Sequence, residues 1–152
     1  MKKLMSFIVC LSLLVSLNGC SNNDKHNFYG TYTFAEVSYL SSLSSLSIDY
    51  LEEKMIGTKY TIKDNLFKIE YTDNDNTIDI SSPHYTNKEI PYDIDVLGDV
   101  RSFIDDEVEY QYSICTEDGS KTVWKLYTSS NYLWIATGDS KIIMNIFKLS
   151  KQ

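Results

Sequence analysis

The stretch VEYQYSIC, residues 108–115, decides the fold. Its large apolar side chains recur at every second position and so fall on one side of an extended chain: Val108, Tyr110, Tyr112 and Ile114. Strict alternation of this kind is the pattern of a β-strand with one buried face, whereas an α-helix repeats its apolar positions every three or four residues. The stretch therefore predicts a strand, and it opens the most regular third of the chain.

Three further strands follow at regular intervals. Short segments rich in Gly, Asn, Asp and Ser have the composition of turns, and they lie at 117–120, 129–131 and 138–140. They separate strands that we place at 121–128, 132–137 and 141–150, and earlier strands are placed at 28–39, 58–63, 66–72 and 77–80. Turns about ten residues apart are typical of an antiparallel meander. The sequence therefore predicts an all-β fold, a small antiparallel barrel with one short helix after the first strand.

The segment after the first strand has a different rhythm. Leu40, Leu43 and Leu46 recur every three residues with serines between them, a period that suits a 3₁₀ turn or a folded-back loop better than an α-helix. We expect the segment 40–56 to form a lid over one mouth of the barrel, with Leu43 and Leu46 closing that mouth.

The short helix is predicted within this lid, over 48–56. Ser47 is placed to cap its first turn, and Gly57 follows its end, where a left-handed backbone is common. Three apolar side chains share one face of the helix and are expected to be buried: Ile48, Leu51 and Met55.

Residues 81–107 are the least regular part of the chain. They contain both prolines, Pro83 and Pro91, together with a crowd of aspartates and glutamates. Because proline cannot donate to a sheet ladder, we expect this region to be mostly loop, with one or two short strands.

The first twenty residues have the composition of an export signal. Lys2 and Lys3 give a positive start, and a short apolar run broken only by serines follows at 4–17. The run is shorter than the roughly 20 apolar residues that a membrane-spanning helix needs. Its end, Leu17-Asn18-Gly19-Cys20, resembles the bacterial lipobox and departs from it at Asn18, where that motif carries a small residue.

The lipobox resemblance implies a lipoprotein. Residues 1–19 would be a signal peptide that is removed, and Cys20 would receive a diacylglyceryl group and anchor the chain to a membrane, since two acyl chains hold a protein stably on a bilayer. Residues 20–27 would then be a flexible tether, and 28–152 a single domain on the extracytoplasmic face of the cell membrane. Plain secretion and a retained membrane helix are the alternatives.

The charge of the chain limits the classes of partner, and its cysteine content limits the disulfide bonds that can form. Because Lys2 and Lys3 leave with the signal, the mature chain has twelve basic and 21 acidic residues, a formal charge of −9. This charge argues against nucleic acid as a partner and against electrostatic adsorption to anionic lipid. Cys10 also leaves and Cys20 is the lipidation site, so Cys115 is alone and no disulfide can form within the domain. The fold must therefore be stabilised by burial of its apolar side chains.

The opening Gly30-x-Tyr32, the short helix and the closing meander together resemble a lipocalin-type barrel. Lipocalins have tryptophan at the place of Tyr32, and they end with a basic residue that packs over that ring, a place that Lys148 or Lys151 could take. The middle lipocalin motif is not present, because Thr72-Asp73 lacks its tyrosine. The resemblance implies a barrel that binds a small apolar or amphipathic ligand.

The chain also resembles a group of small cell-surface lipoproteins of Gram-positive bacteria. They share the Gly-x-aromatic start, a serine-rich loop with a short acidic helix ending in Ile-Gly, here Ile56-Gly57, and a Pro-x-Tyr, here Pro83-x-Tyr85. That group has no known activity to transfer.

The aromatic side chains are the candidate ligand-binding residues. In a small barrel they either fill the interior as core or line a cavity in which tyrosine hydroxyls hold the polar end of a ligand. The candidates are Tyr32, Phe34, Tyr110, Tyr112, Trp124 and Trp134.

Residues for catalysis or metal binding are sparse. His26 lies in the tether and His84 stands alone, while 93–98 starts like a calcium loop but is not followed by the twelfth-position glutamate of an EF-hand. Cys115 could pair with His84 as a nucleophile, although a lone cysteine on a strand is more often a small apolar filler. The sequence indicates no cofactor, no metal and no enzyme.

Two functions remain as hypotheses. The first is a membrane-anchored binding module for a small ligand. The second is a cell-envelope interaction or inhibitor module with a filled barrel, which presents a loop such as 81–107 to a protein. A cavity of several hundred Å³, the size of ordinary ligand sites, favours the first, and a filled interior favours the second.

Overall fold

The structure is a computed structural model that describes residues 26–73, 76–89, 108–138 and 142–152. In chain order the described elements are β1 (Gly30–Leu40), α1 (Ile48–Met55), β2 (Lys59–Ile62), β3 (Leu66–Glu70), β4 (Thr77–Ser81), β5 (His84–Glu89), β6 (Tyr110–Cys115), β7 (Lys121–Thr128), β8 (Leu133–Gly138) and β9 (Ile143–Lys151). The prediction of an all-β fold with one short helix after the first strand is confirmed. The signal peptide, Cys20 and the 93–98 loop lie outside the described residues.

All nine strands belong to one antiparallel sheet, in the order β4-β3-β2-β1-β9-β8-β7-β6-β5. β1 joins the two arms of the sheet, since its first residues pair with β2 and the strand from Tyr32 to Leu40 pairs with β9. The other ladders join strands that follow one another in the chain, so the sheet is a meander whose last strand returns to the first. It curls into a half-barrel.

The two outer strands, β4 and β5, are two halves of one bent strand. Counting alternate directions outward from β1 along both arms of the sheet gives β4 and β5 the same direction, and only Ser82 and Pro83 separate them. Ser82 has a positive φ of 47°, and its N–H donates to the carbonyl oxygen of Asn65 at 3.0 Å. At this link the chain stops pairing with β3, as β4, and begins pairing with β6, as β5. The two edges of the curled sheet therefore meet here.

One face of the sheet carries the main core, which we call the interior cluster. Its members alternate along the strands, as Tyr60 and Ile62 do in β2. Every strand and α1 contribute a buried or partly buried side chain, so this face is the inside of the curl. The buried members are Phe28, Tyr32, Phe34, Leu51, Met55, Tyr60, Ile62, Phe67, Ile69, Tyr112, Ile114, Leu126, Leu133, Ile135, Phe147 and Leu149.

A second core lies on the opposite face of β7, β8 and β9, and we call it the outer cluster. Tyr127 follows Leu126, and Trp134 lies between Leu133 and Ile135, so alternation directs them away from the interior cluster. Its members are Val108, Tyr127, Trp134, Ala136, Ile143 and Ile146. Val108, which we predicted on the same side as Tyr112, belongs here because β6 begins only at Tyr110 and the alternation does not extend to residue 108.

The helix covers the part of β1 that β2 leaves unpaired. β2 pairs with β1 only up to Thr33, Phe34 N–H then donates to the Thr58 carbonyl at 3.0 Å, and α1 packs against β1 with Leu51 in the interior cluster. Ser47 Oγ accepts from Tyr50 N at 3.2 Å, which confirms the predicted cap.

The structure agrees with one prediction about the helix and differs from another. Gly57 has a φ of +79°, as the predicted end of the helix requires, and a Cβ there would lie 2.9 Å from Thr72 Oγ1. Ile48 was predicted to share the buried face of Leu51 and Met55, but it is exposed. The contact with the interior cluster reaches only as far as Leu51, so the first turn of the helix extends beyond it.

Three tyrosine hydroxyls allow a test of the core. Tyr32 Oη donates to the Phe28 carbonyl at 2.8 Å, whereas the hydroxyls of Tyr60 and Tyr127 are buried with no hydrogen-bond partner in the described part of the chain. Removing a satisfied hydroxyl loses about 1 kcal/mol, and removing a buried unpaired one relieves a desolvation cost of similar size. We expect Tyr60→Phe and Tyr127→Phe to raise the free energy of unfolding in urea by about 1 kcal/mol, and Tyr32→Phe to lower it by about 1 kcal/mol. Equal losses in all three variants would contradict this.

The same burial predicts a loss of stability in alkali. Desolvation raises the pKa of Tyr127 to about 12 and also raises the pKa values of Tyr60 and Tyr85, while unfolded tyrosine titrates near 10. The folded state thus holds these protons more tightly, so their contribution to stability is full below about pH 10 and is lost as the pH rises towards about 12. We expect the melting temperature to fall across this window, with a smaller fall in Tyr127→Phe. A melting temperature that is constant up to pH 12 would rule this out.

Candidate functional site

The structure brings four of the six candidate aromatic residues to the interior. Tyr32, Phe34 and Tyr112 are buried members of the interior cluster, and Trp124 packs against it with its ring centroid 5.9 Å from that of Phe67. Tyr110 lies on the same face as Tyr112, at the first residue of β6, and is exposed. Trp134 belongs to the outer cluster, on the other face of the sheet. A ligand-binding role for these residues stays a prediction.

Side chains fill the described interior. Ile62, Phe67, Ile114 and Leu126 have no exposed surface, and their neighbours in the interior cluster are nearly as deeply buried. Beside this core lies an open pocket of about 160 Å³, the mouth pocket, at one end of the sheet. Ordinary ligand sites have about 300–1,000 Å³. The packing that the described residues show is that of a core.

The mouth end is closed by the segment just before β1. His26 stacks on Phe28 with ring centroids 4.8 Å apart, and the Phe28 ring lies 4.5 Å from that of Tyr112 and 5.3 Å from that of Tyr85. Tyr85 Oη donates to the Lys63 carbonyl at 2.9 Å, which joins β5 to the turn between β2 and β3. His26 and Asn27, which we assigned to the tether, therefore belong to the folded domain.

Lys151 is the basic residue that lies over Tyr32. Its Nζ is 5.9 Å from the Tyr32 ring centroid, and its side chain passes so close to Gly30 that a Cβ there would lie 3.1 Å from Lys151 Cε. Lys148, the other residue that we considered for this place, has its Nζ 4.0 Å from the Tyr132 ring centroid and 3.6 Å from Glu36 Oε1.

The mouth pocket lies between the segment 26–29, the loop 129–132 and the end of β9. Phe28, Tyr32, Leu133 and Leu149 form its apolar wall. Its remaining lining is polar and includes Asn27, Ser130, Asn131 and Lys151. These loop residues carry no sequence motif, and sequence reasoning did not identify them.

The segment between β1 and β2 forms the most apolar part of the described surface. Ser41 Oγ and Ser44 Oγ accept from the backbone N–H groups of Leu43 and Leu46, which confirms the predicted folded-back loop. The two leucines were predicted to close the barrel, but they are exposed by 68% and 46%. Leu51 and Met55 of the helix take their place in the interior cluster, because the serine turns direct the loop leucines outward. We call the exposed set the apolar surface: Leu43, Leu46, Ile48, Tyr50 and Ile56.

Acidic side chains border the apolar surface. Asp49 and Glu53 of α1 are exposed and Glu52 is half-buried. Lys54 is the basic residue of this helix. Its Nζ is 3.5 Å from Asp73 Oδ2, and this ion pair connects α1 to the turn after β3. The border of the surface is therefore negative.

The residues considered for chemistry give no assembled site. No group of three or more His, Cys, Asp or Glu in the described ranges could hold a metal ion. His84 lies opposite Cys115 in the β5–β6 ladder, but Cys115 is buried with its Sγ 3.8 Å from Thr86 Oγ1, while His84 is exposed. Among the described residues no helix is long and apolar enough to cross a membrane.

Comparisons of the chain with models of known protein families, with curated proteins and with solved structures found no match. The function has to be argued from the described residues themselves.

Two leucines of the same segment test which side chains hold the helix in place. Leu51 is buried in the interior cluster, whereas Leu43 is exposed. We expect Leu51→Ala to lower the free energy of unfolding by about 2–4 kcal/mol and Leu43→Ala to change it by less than about 0.5 kcal/mol, measured in urea. Equal losses in the two variants would mean that the loop leucine also closes the barrel.

Proposed function

We propose that this protein is a membrane-anchored extracytoplasmic interaction module. Its filled half-barrel is a rigid support, lipid on Cys20 anchors it, and the apolar surface binds a protein partner. The observation that carries this proposal is the concentration of exposed apolar side chains in one short segment. Five of the nine large apolar side chains exposed in the described part of the chain lie within residues 43–56. Large exposed apolar side chains that concentrate in one segment favour an interaction site over the singly scattered ones that are normal on a protein surface.

The apolar surface is held in a fixed shape. The serine turns at Ser41 and Ser44, the Ser47 cap and the burial of Leu51 hold its backbone. A surface that is ordered before binding loses little conformational entropy on binding, so more of its burial appears as affinity. This order distinguishes the segment from a mobile loop that happens to be apolar.

Charge and position favour a protein over a lipid surface. Asp49, Glu52 and Glu53 would be repelled by anionic headgroups and would suit a partner whose apolar face is bordered by Lys or Arg. Two copies of this chain would bring the same acidic borders together, which disfavours self-association. The segment leaves the sheet at Leu40 and returns to it at Thr58, whose carbonyl accepts from Phe34 N–H.

The packing of the described interior favours this proposal over the alternative that the barrel carries a ligand inside it. A carrier needs room for its ligand, and the interior cluster occupies that room in the described part of the structure. The mouth pocket, at about 160 Å³, is about half the smallest ordinary ligand site. Within the described residues this packing supports an interaction module over carriage of a ligand in the interior.

Site-specific photocrosslinking in the intact cell tests the proposal. With a benzophenone amino acid at Tyr50 or Leu43 of the full chain, we expect a protein adduct of defined mass, and with the same group at Val123, which is exposed on β7, we expect none. Asp49→Lys combined with Glu53→Lys should reduce the adduct at least about fivefold, because the like charges of a basic partner would then repel.

Three outcomes would sink the proposal. They are lipid adducts alone at Tyr50, equal protein adducts at Tyr50 and Val123, and an adduct that the charge reversal leaves unchanged. The anchor is tested separately by the mass of the mature protein, which should begin at Cys20 and carry the diacylglyceryl group.

A further inference from the structure

The mouth pocket contains more hydrogen-bond donors than the fold uses. The side chains of Asn27, Ser130, Asn131 and Lys151 line it, and none of them forms a hydrogen bond or ion pair with the described part of the protein. No aspartate or glutamate lines this pocket, although the chain has 21 of them against 14 lysines and arginines. A pocket that combines free donors, one ammonium group and no carboxylate is suited to an anion.

A second lysine lies next to this pocket. An adjoining surface groove of about 360 Å³ shares Asn131, Tyr132 and Lys151 with it and adds Lys148. Lys148 Nζ is 3.6 Å from Glu36 Oε1, so its charge is partly balanced, while Lys151 is not balanced in this way. Glu36 also lines the groove, so Lys151 supplies the unbalanced positive charge where the pocket and the groove meet.

The loop that supplies two of the donors is held in place before any ligand binds. Ser129 Oγ accepts from the backbone N–H groups of Asn131 at 3.2 Å and Tyr132 at 3.0 Å. Tyr132 packs against Trp134 of the outer cluster, with ring centroids 5.7 Å apart, and under Lys148 Nζ. These contacts fix the direction of the loop and leave the Ser130 and Asn131 side chains at the pocket.

We infer that the mouth pocket binds a phosphate group, with Lys151 as its counter-charge and Ser130 and Asn131 as neutral donors. Lysine binds phosphate as a point charge, and neutral donors beside it can bond the remaining phosphate oxygens. The apolar wall of Phe28 and Leu149 would contact the carbon atoms of a phosphate ester.

The tether makes a lipid headgroup the source of this phosphate. If Cys20 is lipidated, as the proposed function holds, at most six residues separate the anchor from His26, a reach of about 20 Å. His26 stacks on Phe28, which lines the pocket, so the pocket stays within that reach of the bilayer surface. A phosphodiester headgroup is the anion that is most concentrated there.

Hydrogen–deuterium exchange of the full mature lipoprotein in lipid nanodiscs tests the inference. In phosphatidylglycerol discs we expect exchange in 129–133 and 149–152 to be at least about threefold slower than in discs of digalactosyldiacylglycerol, a bilayer lipid without phosphate, the protection given by a ligand at twice its dissociation constant. Lys151→Gln and Asn131→Asp should abolish the difference, and both positions are exposed, so neither substitution disturbs the core. Lys121→Gln, at an exposed lysine at the start of β7, should retain it.

A soluble arm separates the two sources of phosphate. Glycerol 3-phosphate is added to the digalactosyldiacylglycerol discs. If it slows exchange as much as phosphatidylglycerol does, the pocket is supported and its ligand is a free phosphate ester instead of a headgroup. No slowing by either, or equal losses in Lys151→Gln and Lys121→Gln, would overturn the inference. A mature mass without diacylglyceryl would refute the anchor instead, and the soluble arm would still decide the pocket.

Discussion

Every strand of this protein sends large side chains into one interior cluster, and the rest of the structure depends on that packing. Cys115 is the free cysteine of the described chain and is buried, so apolar burial takes the place of a cross-link. Each buried Leu, Ile or Phe contributes about 1.5–3 kcal/mol, and the contribution falls if a cavity is opened beside it. A fold stabilised in this way cannot also keep an empty interior at little cost. Among the described residues, the surfaces open to a partner lie outside this core.

Tyr32 shows how the core and the mouth end depend on each other. Its ring is buried in the interior cluster, its hydroxyl donates to the Phe28 carbonyl, and Lys151 lies over its outer face. One side chain thus joins the segment before β1 to the last residues of β9. The mouth pocket is formed by the same three parts of the chain, so its shape is fixed by the core and not by the loop alone.

The spacing of apolar residues was sufficient to predict most of the strands, but it did not predict how the two edges of the sheet meet. Strand β7 was predicted at 121–128 and is found there, and the cap at Ser47 and the end of the helix before Gly57 were also predicted, because each depends on local chemistry. The bent strand through Ser82 could not be predicted, since it depends on pairing with β3 and β6, which are distant in sequence. Leu43 points outward because its backbone N–H donates to Ser41 Oγ, and this local turn competes with burial of the leucine. The spacing of the leucines carries no information about such hydrogen bonds.

The two candidate surfaces, the apolar surface and the mouth pocket, differ in charge. This difference would allow one small domain to bind two different partners. The apolar surface has an acidic border formed by α1, whereas the mouth pocket is lined by Lys151 and by no carboxylate, and the groove beside it adds the pair Lys148 and Glu36. An anionic group bound near the tether would leave the acidic border free for a basic partner. The net negative charge of the chain therefore says little about either surface, and the local arrangement of donors and acids decides what each can bind.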